Sequence, residues 1–460
     1  MKYRLFASLV FGLVLAGICT LFISTTPAVA PSKPNIVFII ADDLGWGDLS
    51  SYGATDLKTP HIDSLLRAGL RFTHFYANSP VCSPSRAALL SGQWPERVGV
   101  PGVIRDVASD SWGYLAPDKL LPSYLQQAGY HTALVGKWHL GLETPNTPNE
   151  RGFQEFYGFL GDMMDDYYTK RRNNHNFMRH NRQIIDPPGH ATDVFTDGAV
   201  TYLNSRRGNA KPFFLYLAYN APHNPLQPPA EWLEQVKKRE PAIDPTRAKL
   251  VALIEHMDAN IGRLLATLKK NRQLENTLIV FTSDNGGWGP GKANNGPHRS
   301  FKGTMYEGGI LIPAGVAWAG HIQPGRVSNE PLQLSDWMPT FLEITGQKIT
   351  TTIDGKSFLT VLNTNLSNDP SSVFRQRPLF FIRREGTDAF KGLTTQAVRL
   401  GDWKLLQANP FSPYELYNLK DDPKETTNLA GQEKAKANEL TLLLMNQIQE
   451  SGSVPWQKGK

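Results

Sequence analysis

The sequence predicts an α/β protein: a central, mostly parallel or mixed sheet between helices, followed by a smaller C-terminal α+β domain. Three observations carry the prediction. Four apolar, β-rich runs, Asn35–Ile40, Thr132–Val135, Phe213–Ala218 and Thr277–Thr282, show no polar alternation, so a strand at each would be covered on both faces. Helix-patterned stretches such as Ile62–Ala68 and Ala248–Lys270 lie between them and supply the crossovers that parallel strands need. From about residue 346 the pattern changes: Asn363–Ser372 reads as loop, short strands follow at Leu379–Phe381 and Ala397–Leu400, and Lys434–Glu450 reads as helix.

Taken in order, the chain opens with Lys2 and Arg4, an uncharged apolar run from Leu5 to Ile23, and Ala28-Val29-Ala30, the pattern of an export signal cleaved after residue 30. The apolar run is longer than the usual ~7–15-residue signal core, and Pro31 follows the cleavage site, so an uncleaved membrane anchor is the alternative. The expected destination is periplasmic or secreted. Losing the leader takes Lys2 and Arg4 from a formal charge of +6, leaving +4. That mild basicity suits an anionic substrate, and no Lys/Arg block interleaved with aromatics suggests nucleic acid. Residues 33–345 form the expected catalytic domain and 346–460 the smaller one. Oligomeric state is not legible.

Each of the four apolar runs ends in chemically able residues: Asp42-Asp43, Lys137-Trp138-His139, Asn220 to His223, and Asp284-Asn285. Ligands in such folds bind beyond the carboxyl ends of the strands, so the clusters are expected to meet on one rim. Asp42, Asp43, Asp284 and Asn285 together offer three carboxylates and an amide oxygen, a hard set suited to calcium or magnesium and lacking zinc's usual His and Cys. Taken singly, each pair also reads as a solvated turn.

Cys82 is the only cysteine outside the leader, which also holds Cys19, so the mature chain has no intramolecular disulfide. Ser83 suits an N-cap, Pro84 the first helical position, and the Ala/Leu run after Arg86 favours helix. Cys82 would then lie where helix N–H groups favour a thiolate or a bound oxyanion. A small buried hydrophobe beside a capped helix is the other reading, and the residues alone leave both open.

Cys82-Ser83-Pro84-Ser85-Arg86 resembles the Cys-x-Pro-x-Arg signature of the formylglycine-dependent sulfatases, and Gly129 to Gly141, with Gly136-Lys137-Trp138-His139-Leu140-Gly141, resembles their second signature. The likeness runs from about Lys33 to Asn428-Leu429-Ala430 and includes Lys302-Gly303-Thr304 with Glu307-Gly308-Gly309, Gly401 to Leu405 and Glu415 to Leu419. It implies an alkaline-phosphatase-like fold and an exported sulfuric ester hydrolase acting on a sulfated small molecule or saccharide. It further implies that a formylglycine-generating or sulfatase-maturating enzyme oxidises Cys82 to the aldehyde nucleophile. Asp42, Asp43, residue 82, Asp284 and Asn285 would hold calcium, with magnesium the alternative. Arg86 would hold the hydrated aldehyde, Lys137 and Lys302 would clamp the sulfate, and Asp284 would act as base for the attacking hydroxyl. His223 would protonate the leaving alcohol, and His139 would take the proton that releases sulfate. Tyr167, Tyr168, Arg171, Arg172 and His175 offer a polar, aromatic loop for a sugar, or a plain surface loop. The rivals are a phosphonate or phosphate ester hydrolase of the same superfamily and an unmodified, catalytically silent polyanion-binding protein.

Overall fold

Five strands, Thr277–Ser283, Asn35–Ala41, Phe213–Ala218, His131–Lys137 and Glu155–Phe159, lie side by side in that order and all run parallel at the centre of an eleven-stranded sheet. Leu311–Trp318 pairs antiparallel with the Thr277 strand, Leu70–Tyr76 pairs antiparallel with Leu311–Trp318, and Met178–His180 extends the far side. These are features of a computed structural model that describes residues 33–105, 115–116, 119–364, 372–385, 390 and 392–453. The predicted leader and most of the 363–372 loop lie outside the described residues. Among those described, no helix is long and apolar enough to cross a membrane.

Alternate side chains of the central strand enter two separate cores, which is why its sequence is apolar throughout. Ile36, Phe38 and Ile40 pack with Leu89, Tyr124, Trp337 and Phe341, so the helices Cys82–Ser91, Leu121–Gln127 and Trp337–Thr345 cover one face. Val37 and Ile39 pack with Ile62, Phe195, Val251 and Leu264, so Pro60–Arg67, Ala191–Ser205 and Pro245–Lys270 cover the other. The last helix starts three residues before the sequence reading because Asp244 caps it, accepting from the N–H groups of Thr246 and Arg247 at 2.9 and 3.0 Å, with Pro245 in the first turn.

The helix carrying Cys82 corrects the predicted cap. Val81 is its extended N-cap residue and Cys82 its first helical residue, and Gly92, at φ 68°, ends it. The Ser83 hydroxyl makes no cap; it accepts from the N–H of Ile104 at 3.0 Å. A tertiary donor has taken the oxygen that local pattern assigned to the helix start.

The smaller C-terminal domain is a four-stranded antiparallel sheet, Pro378–Arg384, Thr394–Leu400, Trp403–Gln407 and Glu415–Asn418, with helix Lys434–Glu450 on one face through Leu440 and Leu444. Its other face sets Leu379, Phe381 and Leu406 against Tyr76 and Leu311 of the large sheet. Beyond Gly346 the chain first adds Phe358, Val361 and Leu362 to the large core before it enters this sheet. Lys404, fully buried, joins the two parts by ion pairs to Glu307 and Glu425 at 2.9 and 2.8 Å.

Candidate active site

Parallel register brings the polar residues together. Ala41 lies opposite Ser283, Ile40 opposite Ala218, and Ala218 opposite Gly136, so the chain leaves all four strands at one edge. The exits are stitched by backbone bonds from Asp42 N–H to Ala221 C=O and from Asp284 N–H to Ala41 C=O, at 3.1 and 3.2 Å. Asp43 and His139 take left-handed φ values of 67° and 61°, a cost that non-glycine residues bear where surrounding structure fixes them.

Six charged side chains surround Cys82, all buried except the partly buried Lys302. The Cys82 Sγ lies 3.4 Å from Asp42 Oδ1, 3.9 Å from Asp43 Oδ1 and 3.5 Å from Lys302 Nζ. Lys137 Nζ donates to Asp42 Oδ2 at 2.6 Å, and Lys302 Nζ to Asp43 Oδ2 at 2.7 Å. Arg86 donates through Nε and Nη2 to Asp284 Oδ2 at 3.0 and 2.8 Å, and its Nη2 lies 3.6 Å from Asp42 Oδ1. Asp284 Oδ1 accepts from Asp43 N–H at 3.2 Å. Three carboxylates thus face three fixed cations.

The histidines stand on either side in different states. His139 Nε2 donates to Ile104 C=O at 2.8 Å, which leaves Nδ1 as a buried acceptor without a partner. Burial, then Lys137 and Arg86, hold its pKa well below the ordinary range, so the ring is neutral. His223 Nδ1 donates to Asn224 C=O at 2.7 Å and turns Nε2 to the cluster, 3.2 Å from Lys302 Nζ and 3.5 Å from Asp43 Oδ2. Burial lowers its pKa, and Asp43 opposes that shift.

Burial alone would push both leading aspartates up. Lys137, His223 and Arg86 outweigh it at Asp42 and bring that carboxyl down to about 2; Lys302 and His223 lower Asp43. Asp284 moves the other way, raised by burial and by the neighbouring Asp42 charge. Cys82 corrects an expectation from helix electrostatics: burial, with Asp284 and Asp42 adding to it, raises the thiol well above 9.0 despite the two lysines. The residue is a neutral thiol that donates to Asp42, not a thiolate.

The donor set fits a hard divalent cation. Asn285 spends its Nδ2 on Asp43 Oδ1 at 2.8 Å and Gly286 C=O at 2.9 Å, and its Oδ1 is buried without any donor. An orphaned amide oxygen beside three carboxylates is an acceptor surplus that a cation relieves. Asp42, Asp43, Cys82 and His223 also bring ligand atoms within 4.8 Å of one another. A cavity of about 630 Å³ lies elsewhere, lined by His74, Glu307, Arg375 and Arg399 among others; none of the clustered groups lines it.

All ten predicted site residues belong to this one cluster. The sugar-loop reading separates instead: Tyr168 is exposed and Arg171 pairs with Asp186, but Tyr167 is buried with its hydroxyl on the C=O groups of Asn220 and His223. Tyr167 is therefore no sugar platform. Sequence reasoning missed Ile104, whose carbonyl sets the His139 tautomer; a backbone acceptor leaves no mark in side-chain pattern.

The profile of the Sulfatase family matches residues 34–347, and that of the N-sulphoglucosamine sulphohydrolase C-terminal family matches residues 296–452. The N-acetylgalactosamine-6-sulfatase of Sus scrofa is 32% identical over 399 residues, covering 82% of this chain and 72% of that protein. A sulfatase of Formosa agariphila is 30% identical and covers 95% and 92%. Among solved structures, Ps i-CgsB in complex with k-i-k-neocarrahexaose superposes with a TM-score of 0.82 at 31% identity, covering 90% of this chain and 92% of that one. The PsFucS1 sulfatase from Pseudoalteromonas sp. gives 0.74 at 27%, covering 93% and 92%.

Proposed function

This chain belongs to the sulfatase family and is a sulfuric ester hydrolase, and we propose that it is an exported enzyme acting on sulfated saccharides through a formylglycine made from Cys82 and a bound calcium ion. The observation that carries the mechanistic part is the state of Cys82. Burial pushes its thiol pKa up, and a neutral thiol against Asp42 is a weak nucleophile, which supports a different group at that position. Oxidation replaces the sulfur by oxygen and makes Cβ an aldehyde carbon, whose hydrate offers two hydroxyls. Calcium, when bound by Asp42, Asp43, Asp284 and Asn285 Oδ1, supplies charge to polarise sulfate oxygens.

The remaining work falls to the chain's own side chains. Lys137 and Lys302 hold sulfate oxygens, and their charge needs no reorganisation because the aspartates already fix both ammonium groups. His223 Nε2 faces the cluster and, in the imidazolium form that the neighbouring Asp43 carboxylate favours, gives a proton to the departing sugar oxygen. His139, neutral and with Nδ1 free, accepts the proton whose removal frees sulfate. For the attacking hydroxyl, Asp284 was the base implied by resemblance. Asp42 Oδ1 lies near, 3.4 Å from Sγ, but its carboxyl is held down at about 2, whereas Asp284 is raised by burial and the Asp42 charge, which supports Asp284 as the stronger base although Arg86 holds its Oδ2.

The saccharide assignment rests on the N-acetylgalactosamine-6-sulfatase relative and on the oligosaccharide complex of Ps i-CgsB. Export rests on the leader pattern. Purified protein, co-expressed with a maturating enzyme, is expected to show an aldehyde at residue 82 by peptide mass spectrometry. It is also expected to cleave nitrophenyl sulfate and members of a sulfated saccharide panel far faster than nitrophenyl phosphate. Full activity with unmodified Cys82 would remove the nucleophile assignment, and a preference for the phosphate ester would favour the phosphohydrolase rival.

A further inference from the structure

The loop that carries His223 is held by a buried polar knot outside the catalytic cluster. Asn220 and His223 close a turn, His223 N–H donating to Asn220 C=O at 2.9 Å. The Tyr167 hydroxyl sits on both ends of that turn, 2.9 Å from Asn220 C=O and 2.8 Å from His223 C=O. Tyr167 is 1% exposed, and its ring stacks on His190 with centroids 4.9 Å apart and planes at 25°. Gln227, at the far end of the loop, accepts from Tyr167 N–H at 2.8 Å through its side chain and approaches His190 Nε2 at 3.0 Å through its carbonyl. Tyr167 C=O in turn accepts from Ala191 N–H at 2.8 Å.

We propose that Tyr167 is a positioning residue for the leaving-group proton: its hydroxyl fixes the 220–223 turn so that His223 Nε2 stays within 3.2 Å of Lys302 Nζ and at the edge of the cluster. The geometry favours this over a general packing role. A ring filling space needs no hydroxyl, and a buried hydroxyl placed on the carbonyl of one particular residue restrains that residue. The turn offers His223 its own bond, Nδ1 to Asn224 C=O at 2.7 Å, which orients the ring relative to the loop, and Asp42 N–H holds the middle of the turn through Ala221 C=O at 3.1 Å; the Tyr167 hydroxyl restrains its two ends. Tyr167 ties the loop to the helix Ala191–Ser205 through His190 and Ala191.

The inference rests on His223 as the proton donor, and its test separates the two ideas. Tyr167→Phe keeps the ring and removes only the hydroxyl. Misplacement of a catalytic group by about 1 Å costs up to ~10²-fold, so a loosened turn is expected to lower kcat on a sugar sulfate by about tenfold. An activated nitrophenyl sulfate, whose phenolate leaves without a proton, should lose less than about twofold. A merely structural defect lowers both rates together through loss of folded enzyme. His223→Ala is run beside it. If His223→Ala shows the leaving-group split and Tyr167→Phe does not, the positioning role is overturned and the His223 role stands. If neither shows it, the reading of His223 has failed. Should Tyr167→Phe not fold, Gln227→Leu removes the bond to Tyr167 N–H, leaves the hydroxyl in place, and is expected to give the same split at smaller size. Equal losses on both substrates in a folded Gln227→Leu enzyme would likewise overturn the proposal.

Discussion

Asp284→Asn separates the carboxylate's observed pairing with Arg86 from its proposed part in binding calcium. Arg86 is fully buried and directs two bonds to Asp284 Oδ2, with Asp42 the next carboxylate at 3.6 Å. Removing one partner of a buried pair costs about 3–5 kcal/mol. The amide keeps an acceptor oxygen for Arg86, and the repulsion between Asp42 and Asp284 disappears, so a loss at or just below the bottom of that range, about 2–3 kcal/mol, is expected. That is a large share of the ~5–15 kcal/mol that holds a typical protein folded. Equilibrium denaturation in excess chelator reads this loss without any cation present. Calcium at a hundredfold excess over its Kd should then add about 2.7 kcal/mol to the wild type and much less to the variant. Sulfatase activity should be nearly abolished. A variant as stable as the wild type in chelator would refute the buried-pair argument. A variant that keeps the full calcium-induced gain would remove Asp284 from the ligand set.

Two further outcomes follow from the histidines. His223→Ala should slow sugar sulfates far more than nitrophenyl sulfate, whereas His139→Ala should slow both similarly and leave a sulfate adduct on residue 82 that intact-protein mass spectrometry detects; equal leaving-group dependence with no adduct in either would cancel the division of roles. Outside the site, burial, with Arg399 beside His74 and His256 beside His190, lowers both histidines from 6.5 to about 4. Because each folded value lies below the unfolded one, their neutral forms favour the fold fully above pH 6.5 and that contribution is lost as pH falls toward 4, by at most about 3 kcal/mol each. Denaturation midpoints in chelator should therefore decline from pH 6.5 to 4, and His74→Gln should flatten part of that slope; an unchanged slope would show that His74 does not titrate in this way.

The sequence revealed most where one segment determines its own environment. A run such as Asn35–Ala41 has no polar face to leave in water, so its central place in a two-sided sheet follows from composition, and parallel pairing then delivers Asp42 and Asp284 to the same edge. Three readings failed because distant residues intervened. Ser83 caps nothing because Ile104, twenty-one positions on, donates to its hydroxyl. Cys82 does not gain from its helix start because burial and carboxylates brought in by other strands outweigh it. Tyr167 and Tyr168 are neighbours in one polar stretch, yet one is 1% and the other 48% exposed. Both rings touch His190, but only the Tyr167 hydroxyl reaches inward to the Asn220 and His223 carbonyls, and no local pattern records that.

The charge inventory of the cluster constrains what it can hold. Asp42, Asp43 and Asp284 formally balance Arg86, Lys137 and Lys302, so the protein alone brings no net charge to a nearly dry site. One uncompensated charge about 4 Å from its neighbours is worth ~4 kcal/mol at an effective dielectric near 20, enough to decide which species bind together. A dication alone leaves an excess of two positive charges, and a sulfate monoester alone leaves one negative charge. Bound together they leave a single positive charge, so each favours the other. Cleavage converts the monoanionic ester to sulfate dianion, and the dication is then fully matched. The site is thus electrostatically better suited to its inorganic product than to its substrate. On the proposed reading, turnover would then depend on letting sulfate go, and the bonds of Lys137 and Lys302 to Asp42 and Asp43 would assist that step, because the aspartates would compete with sulfate for the two ammonium groups.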